Sequence, residues 1–445
     1  FQFRGDQMNK SDLVDAVASK ADMSKAEAGR AVDAVLLTHA HVDHCGYLKY
    51  LRPDIKVYCS EESRLIMENF DVTGQGEEYL TLTEKFQIHP GTRKPYVGLP
   101  VRNKGDSAAK IPREIEVFES YKKFSIDSIE VMPLPVDHSI SGVHGFVLNT
   151  SSGTIANTAD LRFHGRRSEQ TEKFVEKCSE SSLDVLLCEG TRIDKTPSIT
   201  EFDVEGKISE IINETKNLVV CGYPIRDLDR LQSFYLAAKA TGRDLVIEPK
   251  QAYLLKLFSE SFGSENIYPD PKDKHIKIYM PKKDWGLIAR DPNYWSQRLI
   301  EQDYDNWERD FLEYDNQIDY RYVKEKQKEL LFSLNDYKLQ ELIDIKPKEN
   351  SKYIRSLTEP FNDEMEFKET RFKNWLAHFG LVKSEKDWRA IHVSGHGDGE
   401  QIKRVIDGAN AKKIIPIHTD PENEVYHQKW HDNVQTVQRH ETVEF

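Results

Sequence analysis

The residues with the clearest chemical potential form a short cluster of possible metal ligands. His39, His41, Asp43 and His44 lie within six consecutive positions. Histidine is the commonest metal ligand, and aspartate supplies a hard oxygen beside its nitrogens. The apolar run at residues 35–37 reads as a short buried strand. The cluster would then lie where a parallel strand ends, which is where open α/β sheets bind their ligands. We therefore predict a metal site here and not a solvated polar loop.

The spacing within this cluster predicts two binding points. His39 and His41 are two residues apart in an extended segment, so their side chains point to the same side. Asp43 and His44 follow where the chain turns into a predicted helix. They can therefore reach a second point nearby, and the cluster is predicted to serve two neighbouring metal ions.

Four later segments repeat one pattern, a short apolar run that ends in a possible ligand. The residues concerned are His138, Asp160, the pair His392 and His396, and His418. Each of these segments alone is a weak signal. In this order, with the first cluster in front of them, they form a strong one.

Together these residues resemble the metallo-β-lactamase superfamily and, within it, the β-CASP nucleases, most closely the ribonuclease J-like members. The resemblance runs from about residue 33 to the end of the chain. The family's HxHxDH motif corresponds to residues 39–44. It implies one zinc ion on His39, His41 and His138, a second on Asp43, His44 and His418, and Asp160 as the bridging ligand. Zinc suits these donors, and manganese is not excluded.

The resemblance also implies a reaction, the hydrolysis of RNA by endonucleolytic cleavage, 5′ exonucleolytic cleavage or both. Two metals roughly 3.5 to 4 Å apart can activate a shared water, and the resulting hydroxide would attack phosphorus. Asp43, Glu189 and His396 form the predicted catalytic set. His396 is the candidate acid for the departing ribose oxygen, oriented by Glu189. Family members that act on RNA tend to carry histidine at the position of His418.

Three residues are candidate substrate contacts. His392 and Ser394 would hold a phosphate. Ser394 begins the Ser-Gly-His motif at residues 394–396, and His392 precedes it. Arg226 could touch another phosphate, although a helix N-terminus with ordinary ion pairs explains it equally well. Other interpretations of Glu189 and His392 also stay open. Glu189 could be a surface salt-bridge partner, and His392 a buried core histidine.

The predicted fold class is α/β. By resemblance, residues 35–190 and 385–445 form an αββα metallo-β-lactamase sandwich, and residues 191–384 form an inserted β-CASP α/β domain. Residues 200–262 alternate helices and strands, which supports this insertion. Residues 266–350, rich in charged and aromatic residues, are predicted to form long solvated helices whose aromatic side chains pack them together.

The first 34 residues carry a different resemblance. Residues 8–34 resemble the N-terminal helical pair of the bacterial HU DNA-binding proteins. The resemblance stops before the sheet and arms that HU uses to grip DNA, so we infer no DNA binding from it. A splice between two sequences and an ordinary helical hairpin are the alternative interpretations.

Composition narrows the class of protein. The 445 residues carry a formal net charge of −13, which disfavours a protein that coats nucleic acid but not a nuclease with a metal-containing cleft. The five cysteines are scattered without CxxC spacing, which indicates buried thiols and a cytoplasmic location. No apolar run approaches the roughly 18 to 20 residues that span a bilayer. The family often dimerises, so a homodimer is a further expectation.

Two rival functions remain open at this point. The same ligands would serve a hydrolase of a small ester, thioester or phosphodiester on the same fold. A non-catalytic nucleic-acid-binding protein is the rival from another class. Metal content and turnover would separate them.

Overall fold

The structure is a computed structural model that describes residues 34–74, 78–83, 88–90, 100–102, 110–196, 199–283, 297–360 and 362–437. The HU-like segment lies outside these residues except for Ala34, which begins the first strand. No helix in the described ranges has both the length and the apolar character needed to cross a membrane.

Short strands make up the sheets. In chain order they are β1 (Ala34–Leu36), β2 (Lys56–Cys59), β3 (Thr81–Thr83), β4 (Ile88–Pro90), β5 (Pro100–Arg102), β6 (Lys110–Pro112), β7 (Ile115–Val117), β8 (Phe124–Ile126), β9 (Ile129–Pro135), β10 (His144–Thr150), β11 (Gly153–Asn157), β12 (Val185–Cys188), β13 (Val219–Gly222), β14 (Asp244–Ile247), β15 (Ile276–Tyr279), β16 (Gln317–Ile318), β17 (Leu330–Ser333), β18 (Lys352–Arg355), β19 (Arg389–Ala390) and β20 (Lys413–Pro416).

The α-helices lie between them. In chain order they are α1 (Val42–Cys45), α2 (Glu61–Thr73), α3 (Ser168–Glu180), α4 (Glu201–Glu214), α5 (Leu228–Ala240), α6 (Pro249–Phe262), α7 (Gln297–Asp303), α8 (Asn306–Arg309), α9 (Tyr320–Glu325), α10 (Glu341–Ile345), α11 (Asp363–His378), α12 (Gly399–Ala409) and α13 (Glu424–Trp430).

Two sheets surround the predicted metal ligands. The parallel sheet β1-β2-β7 has three strands, and the mixed sheet β20-β12-β11-β10-β9-β8 has six. Tyr58 of β2, Val131 of β9 and Phe146 of β10 belong to one buried apolar cluster that joins the two sheets. Helices α3 and α12 pack together beside the six-stranded sheet. The predicted metallo-β-lactamase fold is therefore confirmed.

A second parallel sheet has the order β16-β15-β14-β17-β13-β18-β19. Its neighbouring strands are all parallel, so the loops that follow them lie at one edge. Helices α4 and α5 pack against each other at the start of this part of the chain. The sheet extends to Ala390, beyond the predicted boundary at residue 384.

The helix–strand alternation predicted for residues 200–262 is confirmed, because α4, β13, α5 and β14 follow in that order. The prediction of long solvated helices for residues 266–350 is wrong. This stretch contains the strands β15, β16 and β17, and its described helices are short. Strands β15 and β17 are only four residues long and are mostly buried. Their apolar runs are too short to stand out among the flanking charges. All five cysteines are buried and free of disulfides, as expected.

Candidate metal centre

The first ligand cluster lies on the turn between β1 and α1. The backbone of His41 is extended, and helix α1 begins directly after it. The carbonyl of His41 accepts hydrogen bonds from the amides of His44 and Cys45, and these bonds form the first turn of the helix. His39 is fully buried, whereas the Asp43 side chain is about half exposed. The turn therefore separates the four ligands into an inner pair and an outer pair.

Three ring nitrogens converge at the inner point. Nδ1 of His41 lies 3.1 Å from Nε2 of His39 and 3.1 Å from Nε2 of His138. Nδ1 of His138 donates to the carbonyl of Gly395 at 2.5 Å, so its Nε2 is the unprotonated nitrogen. Zinc–nitrogen bonds of about 2.0 to 2.1 Å in a tetrahedron place two nitrogens about 3.3 Å apart. The three histidines therefore fit a metal ion.

Asp160 lies between this triad and the outer ligands. Its Oδ2 is 3.1 Å from Nε2 of His44 and 3.7 Å from Nε2 of His39. At the outer point, Nε2 of His418 lies 3.5 Å from Oδ2 of Asp43. The ligand atoms of Asp43, His44 and His418 all lie within 4.8 Å of one another. The Asp160 carboxylate thus faces both groups, in the place of a bridging ligand.

Left-handed backbone conformations aim two of these residues. His418 itself has a φ of 47°, and Ala159, directly before Asp160, has a φ of 52°. Both residues follow closely on the end of a strand, β20 and β11 respectively. The side chain of Asn157 accepts a hydrogen bond from the Ala159 amide at 2.7 Å and supports this turn. Such conformations cost of order 1 to 3 kcal/mol, and proteins retain them mainly at functional sites.

The electrostatics keep the ligands in metal-binding form. Burial lowers the pKa of His41 to about 4 and holds the pKa values of His39 and His138 well below 6.5. Burial raises the pKa of Asp160, but the surrounding histidines outweigh it and hold that pKa well below its usual range. These shifts favour neutral rings at His39, His41 and His138 and an ionised Asp160, as metal binding requires, whereas Asp43 and Asp160 raise the pKa of His418.

Glu189 and His396 lie beside this cluster. Oε2 of Glu189 is 2.9 Å from Nδ1 of His396, and its Oε1 accepts from the Leu161 amide at 2.6 Å. The His396 ring stacks 5.3 Å from that of His418, measured between centroids. Burial lowers the pKa of His396, but the carboxylates of Glu189 and Asp160 outweigh it and raise this pKa to about 9. Glu189 is fully buried, which rules out the surface salt-bridge alternative.

The candidate substrate contacts divide between two places. Ser394 and His392 precede His396 on one loop, and the Ser394 hydroxyl accepts from the His396 amide at 3.1 Å. Burial, aided by Arg230, lowers the pKa of His392 to about 3. Arg226 lies elsewhere, after β13, with its guanidinium carbon 3.4 Å from the centroid of the Phe70 ring.

Two histidines near the ligands in sequence have other partners. The ring nitrogens of His144 lie 2.9 Å from the Ser120 hydroxyl oxygen and 3.0 Å from the Gly142 carbonyl oxygen. The ring nitrogens of His164 lie near the Gln401 side chain and the Ser394 carbonyl. Neither belongs to the ligand groups found among the described residues.

Sequence reasoning missed that a set of charged residues is buried around the loop of His396. Their partners are separated by many positions in the chain, so no local spacing reveals them. The one signal available was the run of arginines shortly after Asp160. The set consists of the buried Asp137, Arg162, Glu201, Asp229 and Arg230, together with the partly buried Arg167.

Two family models match the chain. One, described as a beta-lactamase superfamily domain, matches residues 13–217. The other, described as a Zn-dependent metallo-hydrolase RNA specificity domain, matches residues 388–434. Between them, the two matched ranges contain all seven candidate ligands together with Glu189 and His396.

Individual proteins are similar over different shares of the chain. Ribonuclease J of Sinorhizobium meliloti is 20% identical over 399 residues, which are 88% of this chain and 58% of that protein. Ribonuclease J of Mycolicibacterium smegmatis is 25% identical over 221 residues, 48% of this chain and 33% of that protein. Transcription termination factor FttA of Methanococcus maripaludis is 36% identical over 258 residues, 55% of this chain and 36% of that protein. The chain thus spans less than two thirds of these relatives.

A solved structure gives an independent comparison of the fold. The crystal structure of a protein of unknown function from Enterococcus faecalis V583 superposes with a TM-score of 0.61 at 21% identity. The match covers 91% of this chain and 79% of that one. Fold, ligand order and family matches agree. Residues 13–217 carry a beta-lactamase superfamily domain, and the chain is similar to the ribonuclease J-like proteins of the β-CASP group.

Proposed function

We propose that the chain is a ribonuclease that hydrolyses phosphodiester bonds of single-stranded RNA at a dinuclear zinc centre. The observation that carries this proposal is the hydrogen-bonded pair Glu189 and His396 beside the cluster of metal ligands. Metal ligands alone suit many hydrolases. A buried carboxylate that holds a protonated imidazole next to them suits a reaction whose leaving oxygen needs a proton. The similarity to proteins named ribonuclease J supports RNA as the substrate.

The ligands divide into two sets in this proposal. His39, His41 and His138 hold one zinc ion, and Asp43, His44 and His418 hold the other, with Asp160 shared between them. Manganese is the alternative for the same donors. When bound, the two ions lower the pKa of a water molecule and neutralise charge that develops on the phosphoryl oxygens.

His396 supplies the proton for the leaving ribose oxygen. The carboxylates of Glu189 and Asp160 raise its pKa and so favour the protonated imidazole. Glu189 accepts from Nδ1, which leaves the Nε2 proton of His396 for transfer. Asp43 is ionised, because hydrogen bonding to His418 and the charges of nearby histidines outweigh the effect of burial on its pKa.

His392 and Ser394 hold a substrate phosphate. Nδ1 of His392 lies 3.4 Å from a guanidinium nitrogen of Arg230, which can only donate. Its proton therefore resides on Nε2, and the neutral ring offers one N–H donor to a phosphate. Arg226, whose guanidinium lies against the Phe70 ring, is the candidate contact for a further phosphate.

The domain division follows the two groups of sheets, except that strand β19 (Arg389–Ala390) of the second sheet lies beyond residue 384. We assign residues 35–190 and 385–445 to the metallo-β-lactamase domain and residues 191–384 to the β-CASP domain. The loops that follow the parallel strands of the second sheet include Ser356, whose hydroxyl accepts from Arg230 at 2.6 Å. A flexible single strand would reach the metal centre along this edge. We further propose that the chain acts in the cytoplasm.

A substrate panel tests the proposal. Zinc-loaded chain is incubated with 5′-labelled single-stranded RNA, single-stranded DNA of the same sequence, and small esters and thioesters. We expect RNA to be cut in preference to all others, with products that map to hydrolysis at phosphorus. Preferred turnover of an ester or thioester would contradict it in favour of a small-molecule hydrolase. Tight RNA binding without turnover would contradict it in favour of a binding protein.

A further inference from the structure

A buried lattice of charged side chains surrounds the loop at residues 393–395. We propose that Arg162 and the carbonyl of Gly395 are positioning groups, which fix the ring of His138 and thereby set the affinity of the metal centre. This inference rests on the proposed function, because it takes His138 as a metal ligand. It adds a dependence of that ligand on the loop that also carries His396.

The first step is the contact between Gly395 and His138. The Gly395 carbonyl accepts the Nδ1 proton of His138 at 2.5 Å, which fixes the tautomer and the ring plane. A Cβ atom at residue 395 would lie 2.6 Å from Cε1 of His138 and 2.5 Å from the Ser139 hydroxyl oxygen. The backbone of the loop and the ring are therefore in direct contact, and a displacement of one moves the other.

The second step is the hold on the loop itself. Nη1 of Arg162 donates to the Ser394 carbonyl at 3.0 Å, and Nη2 of Arg230 donates to the Val393 carbonyl at 3.3 Å. Both arginine side chains are fully buried. Val393 is buried as well, so water does not compete with Arg230 for its carbonyl. The position of the loop backbone hence depends on where the two guanidinium groups lie.

The third step is the hold on the arginines. Glu201, at the start of α4, receives two hydrogen bonds from Arg230, at 2.7 and 3.0 Å. Arg162 lies 3.4 Å from Asp137, and within 3.9 Å of Glu201 and of Asp229 on α5. The carboxylates thus come from both sides of the loop. Helices α4 and α5 are therefore connected to His138 through the guanidinium groups of Arg162 and Arg230 and the backbone of residues 393–395.

Arg167 adds a parallel connection to the same ligand. Its Nη2 donates to Asp229 at 2.7 Å and lies 3.4 Å from the carbonyl of His138 itself. The backbone and the ring of His138 are therefore held by different members of one lattice. We infer that changes in this lattice alter metal binding without any change in the ligands.

Zinc affinity of the full chain tests the inference, measured by competition with a chromogenic chelator. The variants are Gly395→Ala, which inserts a methyl group against the His138 ring, and Arg162→Lys, which keeps the charge but loses the fork of donors. Each is expected to weaken one of the zinc-binding steps about 10- to 100-fold, the range typical of groups that orient a metal ligand.

Two controls match these variants. Gly408→Ala places its methyl group 2.3 Å from Cγ1 of Val175, where helices α12 and α3 pack together, and touches no ligand. Arg243 is also buried and donates to the carbonyls of Asn217, Thr215 and Leu330, far from the loop in sequence. Both Gly408→Ala and Arg243→Lys should retain the parental zinc affinity, while any general destabilisation appears in the thermal unfolding of the metal-free proteins.

The outcomes separate two failures. If the parental chain binds no zinc, the proposed function fails. If the parental chain binds zinc and a folded Gly395→Ala or Arg162→Lys variant binds it equally well, the positioning role is wrong. Should one of the two variants fail to fold, the other decides. Weakening in the control variants as large as in the test variants would also overturn the inference.

Discussion

The Glu189 carboxylate accepts a hydrogen bond from the His396 imidazole over 2.9 Å, and Glu189 itself is fully buried. The other oxygen of the same carboxylate binds the Leu161 amide, directly after Asp160. One buried group therefore fixes both the candidate acid and the backbone beside the candidate bridging ligand. A substitution at Glu189 should therefore lower the rate of cleavage and change the zinc content little.

Replacing the acid should slow cleavage in a way that depends on the leaving group. His396→Ala is expected to lower kcat on RNA by about 10²- to 10⁴-fold, the usual contribution of a positioned acid. A substrate with sulfur in place of the leaving bridging oxygen needs no proton, so it should be cut by the variant and the parental chain at similar rates. An equal loss on both substrates would exclude the acid role.

Removing the charge of the orienting carboxylate should have a smaller effect. Glu189→Gln retains one oxygen acceptor but loses the anion that favours protonated His396, so kcat should fall about 10- to 100-fold. Zinc content should stay at the parental level. Glu172→Gln, at an exposed ion pair with Arg404, is the control and should cleave normally. Parental activity in Glu189→Gln would show that the pair is structural.

Arg226 should contribute to RNA binding through a phosphate. For a single strand, each phosphate that a protein neutralises adds about 0.7 to the slope of log K against log salt. Arg226→Met, in a His396→Ala background that prevents cleavage, should weaken binding and reduce the slope by that amount. Arg404→Met, a substitution at the exposed ion pair, should leave the slope unchanged. If Arg226→Met also leaves it unchanged, the stacking of Arg226 on Phe70 serves packing alone.

Asp227 should make stability fall as the pH rises. Burial raises its pKa from 3.8 to about 7, with Glu201 and Asp229 adding to the effect and Arg230 opposing it. A raised folded-state pKa stabilises the protein fully below the unfolded-state value, and this contribution disappears as the pH rises through about 7. Between pH 5.5 and 8 the parental chain should lose about 2 kcal/mol more than Asp227→Asn.

Urea unfolding of the two proteins at both pH values measures this difference. Asn keeps the oxygen that accepts from the Arg230 amide, so the helix cap of α5 is preserved. The exposed substitution Asp407→Asn should follow the parental chain. Identical pH dependence of Asp227→Asn and the parental chain would show that Asp227 is ionised throughout.

The cluster of candidate metal ligands was predictable from sequence because these residues follow short apolar strands, and their order along the chain matches a known motif. The geometry then followed from the sheet. Strands β11, β12 and β20 are parallel neighbours, so Asp160, Glu189 and His418 meet at one edge. The strands were also recognisable where apolar runs were bounded by turns, as at Lys56–Cys59.

Two features of the structure could not be predicted from the sequence, for physical reasons. Strands β15 and β17 are short, and charged segments flank them, so propensity favoured helices in that region. The lattice of Arg162, Arg230 and Glu201 joins residues that are far apart in sequence, and each alone reads as an ordinary surface charge. Only the folded chain shows that these charges are buried and that they contact the loop beside the candidate metal centre.

The most direct measurement of the central claim is the rate of single-stranded RNA cleavage by the zinc-loaded chain and by its Asp160→Ala variant, with zinc content determined on the same samples. We predict two zinc ions and cleavage for the parental chain. For the variant we predict loss of zinc and no detectable cleavage, because the ligand shared by both ions is gone. Cleavage at the parental rate in Asp160→Ala would contradict the two-metal account.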